Sequence, residues 1–200
     1  MRERIGIFGG TFDPPHLGHL ILASEARAQL DLARLLWVLT PTPPHKLNRP
    51  ISSLEDRSAM LRLTIMDEPA FELCSIEADR AGPHYTLDTL NILSTLYSNA
   101  DMVLLLGGDS LHDLPSWHRP VDLAAACDLI GVMRRPGDSI DMAALEKTIP
   151  GLAAKVRFME APLLEIASSE IRRRVSTGMP FRYYLPPKVF EYIQGHNLYK

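Results

Sequence analysis

The 200-residue chain is 46% hydrophobic and carries a formal net charge of −3 at pH 7, enough apolar material for a sizeable core and too little positive charge for a dedicated DNA- or RNA-binding surface. Its two cysteines, Cys74 and Cys127, stand far apart without a CxxC spacing, which leaves zinc ribbons and redox motifs unsupported and fits a reducing compartment with two core thiols. No apolar run is long enough to span a bilayer and the first residues do not resemble a signal peptide, so the expectation is a cytoplasmic protein without a membrane partner.

In chain order, short apolar runs at 4–8, 35–39, 71–76, 102–106, 129–133 and 156–159 read as buried strands. Helical patterns lie between them. The first covers 20–30. Ser52 and Ser53, three residues before Glu55 and Asp56, form a capping-box pattern that opens a second helix through Met66. Thr86 caps a third, to about Tyr97. Shorter ones cover 121–127 and 142–149. Ser168 opens another, which Gly178 and Pro180 stop, and Pro187 starts a last one ended by Gly195. Strand-helix alternation throughout predicts an α/β fold: a Rossmann-like, doubly wound parallel sheet with helices on both faces. Two stretches break the rhythm: the proline-rich segment 40–50, after the second strand, and 77–85, after the third. With no repeat, low-complexity tract or linker, residues 1–200 read as one domain.

Chemistry concentrates at the strand-to-helix turns. Gly9-Gly-Thr-Phe-Asp-Pro-Pro-His-Leu-Gly-His19 follows the first strand, where backbone N–H groups and a helix N-terminus hold phosphates. Gly9 and Gly10 permit close approach of backbone to a ligand, with positive φ if needed. The spacing is not the GxGxxG of dinucleotide-binding dehydrogenases. His16 and His19, three apart, fall on one face of a helix and can both donate to an anion. A metal pair is the competing reading, but no third ligand is evident nearby.

Gly107-Gly-Asp109 ends the fourth strand in a similar way. The Asp109 carboxylate there suits ribose hydroxyls, a hydrated magnesium ion or a plain helix cap. Trp117, in a polar loop, serves as a stacking platform or a hydrophobic plug. Ile166-Ala-Ser-Ser-Glu-Ile-Arg172 sets two hydroxyls at a helix start and an arginine one turn in. That is a second phosphate clamp, or else a simple cap followed by a solvated basic face.

These three motifs, in this order and each after a predicted strand, resemble the bacterial nicotinate-nucleotide adenylyltransferases of the (H/T)xGH nucleotidylyltransferase superfamily. Gly9 to His19 matches the family's GGxFDPxHxGH opening, Gly107 to Asp109 with Trp117 its GxD…W segment, and Ile166 to Arg172 its ISSTxIR segment. Ala167 departs from the pattern where a serine is usual, and Ser169 where threonine is frequent. The resemblance implies transfer of AMP from ATP to nicotinate mononucleotide, with Mg²⁺ carried mainly on the ATP phosphates and no dedicated protein metal site.

It further implies ATP contacts from Gly9, Gly10, Thr11, Phe12, His16, His19, Gly107, Asp109, Arg134, Ser168, Ser169, Ile171 and Arg172. Lys46, Thr86, Asp109 and Trp117 would take the mononucleotide, and His16, His19 and Arg172 would act in catalysis. The helix start at Thr86 could offer N–H groups to the nicotinate carboxylate. A sister transferase for nicotinamide mononucleotide or phosphopantetheine, and a non-catalytic nucleotide-binding regulator, stay open beside this reading. So does self-association into a homo-oligomer. A dinucleotide-dependent oxidoreductase lacks its fingerprint glycines.

Overall fold

The computed structural model describes residues 2–42, 51–133, 140–162 and 164–200. Six strands form one sheet: β1 (Glu3–Gly10), β2 (Arg34–Leu39), β3 (Phe71–Cys74), β4 (Ala100–Gly107), β5 (Leu129–Met133) and β6 (Val156–Met159). Their order is β3-β2-β1-β4-β5-β6, and every neighbouring pair is parallel. The chain winds outward from β1 to β3, then crosses back to lay β4 against β1. At that reversal the carboxyl ends of β1 and β4 diverge into a crevice, the usual ligand position in an open α/β sheet.

Among the described residues the helices are α1 (Leu17–Gln29), α2 (Leu54–Ile65), α3 (Thr86–Leu96), α4 (Gly108–Asp113), α5 (Pro120–Ala126), α6 (Met142–Thr148), α7 (Leu152–Lys155), α8 (Ser168–Ser176) and α9 (Pro187–Gly195). Alternation along the strands separates two cores. Ile5, Ile7, Met102, Leu104 and Leu106 face α3 and α5 on one side of the sheet. Phe8, Trp37, Val103 and Leu105 face α1 and α2 on the other. A third cluster, Met60 of α2 with Ile171, Leu185, Val189 and Ile193, binds α8 and α9 against α2.

Several boundaries depart from expectation for local reasons. α1 begins at Leu17, three residues early, because His16 is extended (φ −146°, ψ 172°) and its N–H donates to Nδ1 of His19 at 3.1 Å. His19, at the third helical position, here does the work that a capping box assigns to Glu or Gln. β3 stops at Cys74 because the Ser75 carbonyl accepts from the N–H groups of Ala78 and Asp79 and turns the chain. Of the two candidate capping pairs, Ser53 with Asp56 is the one formed, at 3.0 Å.

Thr86 and Ser168 are not caps. Tyr85 and Ala167 occupy those positions, and neither makes a side-chain cap bond. Cys127 is buried, whereas Cys74 is only partly so.

Candidate active site

The turn after β1 builds one wall of the crevice. The left-handed residue of this turn is Phe12 (φ 48°); neither Gly9 nor Gly10 uses the positive φ open to it. Its ring folds back over Gly10, where a Cβ would meet the Phe12 ring at 2.8 Å. Gly9 has open space beside it, with nothing within 4 Å of an added Cβ. Phe12 also packs edge-on to His19, 5.2 Å between centroids, so the aromatic cluster under the turn supports a histidine ring.

His16 and His19 come together on one wall of the crevice, His16 from the cap position and not from within α1. Their rings stack, 3.7 Å apart with an interplanar angle of 28°. His16 lies largely buried at the cap position, and His19 sits one turn into α1. Gly18 makes this stack possible: a Cβ there would come within 3.1 Å of both Cε1 and Nδ1 of His16. Sequence reading passed over Gly18, although its place between the two histidines was the available signal.

The late motif joins the early one through long-range bonds to main-chain oxygens. Ser168 donates its hydroxyl to the Pro14 carbonyl at 2.8 Å. Arg172 donates to the Asp13 carbonyl at 2.6 Å. Asp13 is itself buried, and its carboxylate accepts from the Tyr199 hydroxyl at 2.6 Å and from the Ser52 N–H at 3.3 Å. Burial, followed by the Asp13 charge, pushes the Tyr199 hydroxyl far above its ordinary range and keeps it a donor. Nothing in the residue pattern signalled Tyr199.

These pieces surround a cavity of about 460 Å³. Gly9, Gly10, Thr11, Phe12, His16, His19, Gly107, Asp109, Ser168, Ser169 and Arg172 all line it. Ile171 does not: its side chain is buried in the third core cluster and its N–H donates to the Ala167 carbonyl, so it anchors α8. Asp109 lies in the first turn of α4, whose N-cap is Gly107. Lys46 and Arg134 lie outside the described residues.

A second cavity of about 250 Å³ adjoins the first. Thr11 and Trp117 line both. Thr86 borders the smaller one at the N-terminus of α3, and Leu104, Leu106 and Val38 give it an apolar floor. Trp117 is partly buried against the first core and also lines both cavities, an exposure compatible with the plug and with the platform reading. Two residues not foreseen from the sequence, buried Glu77 and His84, complete this wall; Glu77 accepts the Thr89 hydroxyl at 2.7 Å.

Among the described residues no group of three or more His, Cys, Asp or Glu side chains could hold a metal ion, and no helix is long and apolar enough to cross a membrane. A parallel sheet of this order, with a glycine turn and a helix N-terminus beside the switch point, defines a Rossmann-like nucleotide-binding α/β protein.

The comparisons are more specific. The cytidylyltransferase-like family model matches residues 7–174. A Thermomicrobium roseum protein named "Probable nicotinate-nucleotide adenylyltransferase" is 45% identical over 99% of this chain and 92% of its own length. Proteins with the same name from Salinibacter ruber and Roseiflexus sp. are 39% and 42% identical, each over 98% of the chain, covering 97% and 98% of their own lengths. Plasmodium falciparum nicotinic acid mononucleotide adenylyltransferase complexed with APC superimposes with a TM-score of 0.81 at 22% identity, covering 98% of this chain and 97% of that one, a likeness of fold. The chain belongs to the cytidylyltransferase-like family and, within it, to the nicotinate-nucleotide adenylyltransferases.

Proposed function

We propose that this protein transfers the AMP moiety of ATP to nicotinate mononucleotide, giving deamido-NAD and pyrophosphate in NAD biosynthesis, as a single cytoplasmic nucleotidylyltransferase domain spanning residues 1–200. The observation that carries the reading is the paired cleft: the larger cavity gathers all three motifs, and the smaller shares Thr11 and Trp117 with it.

The larger cavity suits ATP. His16 and His19 would hold its phosphates at the start of α1, with Gly9, Gly10, Thr11 and Phe12 along the nucleotide. Asp109 and Gly107 would contact adenosine, with Arg134 near the adenine. Ser168, Ser169 and Arg172 would receive the leaving pyrophosphate. The smaller cavity suits the acceptor, with Trp117 stacking on the pyridine ring and the N-terminus of α3 at Thr86 facing its carboxylate. Lys46 would take the acceptor phosphate.

The acceptor phosphate is already anionic, so no general base is needed. Its oxygen forms the new bond to the α-phosphorus while the bond to the bridging α,β-oxygen breaks, and pyrophosphate carries the electron pair away. The protein's part is alignment and charge stabilisation. The donor set fits a magnesium ion that rides on the phosphates, with Asp109 the exposed carboxylate on that cavity wall. Such an ion would neutralise charge on the phosphates.

The test is pyrophosphate release with ATP and nicotinate mononucleotide, nicotinamide mononucleotide or phosphopantetheine as acceptor. The highest kcat/KM is expected for the nicotinate compound. Equal kcat/KM for acid and amide defeats the carboxylate reading at α3. Turnover of phosphopantetheine alone moves the protein to the sister activity, and ATP binding without pyrophosphate release makes it a regulator.

A further inference from the structure

Arg57 lies in the first turn of α2, between Asp56 and Ser58, where the sequence looks like an ordinary polar helix face. Its side chain is instead inside the protein, only 2% exposed. It hydrogen-bonds four main-chain carbonyls. Nε donates to Ser52 at 3.1 Å. One terminal nitrogen donates to Thr11 at 3.0 Å and Thr40 at 2.8 Å, and the other to Pro41 at 2.8 Å. A planar fork with five donors can serve four acceptors at once; an ammonium with three donors cannot.

The four carbonyls are not an arbitrary set. Thr11 lines both cavities, Thr40 lines the smaller one, and Ser52 follows Ile51, which lines the larger. The same Ser52 gives its N–H to Asp13, so its two flanking peptide groups are held by the early motif and by Arg57. Burial draws the guanidinium below its ordinary range, with the Asp13 charge opposing that shift, yet arginine stays protonated in proteins. A buried cation that spends its donors on the wall between two cavities sets the spacing of that wall.

We propose that Arg57 is a positioning residue for the transfer reaction, acting through the carbonyls of Thr11, Thr40, Pro41 and Ser52 to hold the wall of the smaller, acceptor-side cavity against the nucleotide turn. This rests on the functional reading above. The two cavities depend on it unequally. The nucleotide turn has independent ties from Ser168, Arg172 and Tyr199. Among the described residues, the Thr40–Pro41 segment is joined to that turn, besides Arg57, through the Thr40 N–H, which donates to the Gly10 carbonyl at 3.0 Å. Loosening the arginine therefore acts first on the acceptor.

The experiment uses Arg57→Lys, which keeps a buried cation beside Asp13, with Arg57→Met alongside. KM is measured separately for ATP and for nicotinate mononucleotide, and the fold is followed by circular dichroism and Tm. The lysine variant is expected to fold and to raise the mononucleotide KM about tenfold or more, with the ATP KM within about twofold of wild type. A residue that merely stabilises the fold would change the amount of active protein and leave both KM values alone. A folded lysine variant with an unchanged mononucleotide KM overturns the proposal, as does an equal rise in both KM values or a lysine variant that does not fold. Wild-type protein that releases no pyrophosphate with a pyridine mononucleotide overturns the functional reading itself, a distinct outcome from any of these.

Discussion

Replacing Gly18 by alanine separates what the histidine pair needs from what the helix needs. The added Cβ would stand 3.1 Å from Cε1 and Nδ1 of His16 and 3.7 Å from the Cβ of Ile166. Comfortable carbon contacts begin near 3.5 Å, so the imidazole must retreat by about 0.5 Å. It has little room, being 6% exposed and stacked on His19 at 3.7 Å. A misplacement of about 1 Å can cost roughly 10²-fold in rate, so half that displacement is worth about tenfold in kcat.

Stability moves the other way. Alanine is favoured over glycine inside a helix by up to about 1 kcal/mol, worth about 2–4 °C in Tm for a chain of this size, which offsets the crowding. The expected result is a kcat about tenfold below wild type by pyrophosphate release, with a Tm equal to or above it. Gly9→Ala is the control, since its Cβ meets nothing within 4 Å and it too should keep the wild-type Tm. A Gly18→Ala protein with wild-type kcat and a raised Tm would refute the idea that the position of the His16 ring limits the reaction.

Three further outcomes follow from the same geometry. His19→Ala should lower kcat by roughly 10²–10³ while weakening ATP binding far less, because its contact strengthens as charge develops in the transition state; an unchanged kcat would refute that role. Ala167→Ser should raise the Tm, since Ala167 holds the N-cap of α8 in an extended conformation without a side-chain cap, and a serine there is worth about 1 kcal/mol. Cys127, its thiol pushed up to about 12 by burial, stays protonated in the folded protein while the unfolded thiol ionises near pH 8.5. Its contribution is therefore complete below about pH 8.5 and lost as pH rises toward 12, so between pH 7 and 9.5 wild type should lose about 1 kcal/mol more stability than Cys127→Ala in denaturant titrations.

Parts of the molecule differ in how plainly they speak in the amino-acid sequence. The strands are readable because a parallel sheet covered on both faces makes continuous apolar runs such as Leu35 to Leu39, bounded by polar residues. The three site motifs are readable because glycines, histidines and hydroxyls cluster at turns. What escapes is whatever depends on a partner distant in the chain. Ser168 looks like a cap, yet its hydroxyl goes to Pro14; Ile171, an ATP contact by resemblance, has its side chain in the cluster of Met60 and Val189. Arg57 reads as one more charged residue on a helix, because its four acceptors are main-chain carbonyls that no residue pattern displays. The positive φ that the glycines permit falls on Phe12 instead, whose ring lies over Gly10, a packing that no residue pattern displays.

The bond between Tyr199 and Asp13 spans 186 positions. Those from α8 to the same turn span 159 and 154. Contacts of such separation form late, since the loop entropy must be met before they contribute. During synthesis β1 emerges first; Ser52 and Arg57 can reach its turn once α2 is made, whereas the ties from α8 and Tyr199 become available only at the end. A chain that lacks α8 and Tyr199 therefore carries the turn after β1 with only part of its bracing. Assembly of the site thereby reports on completion of nearly the whole described sequence.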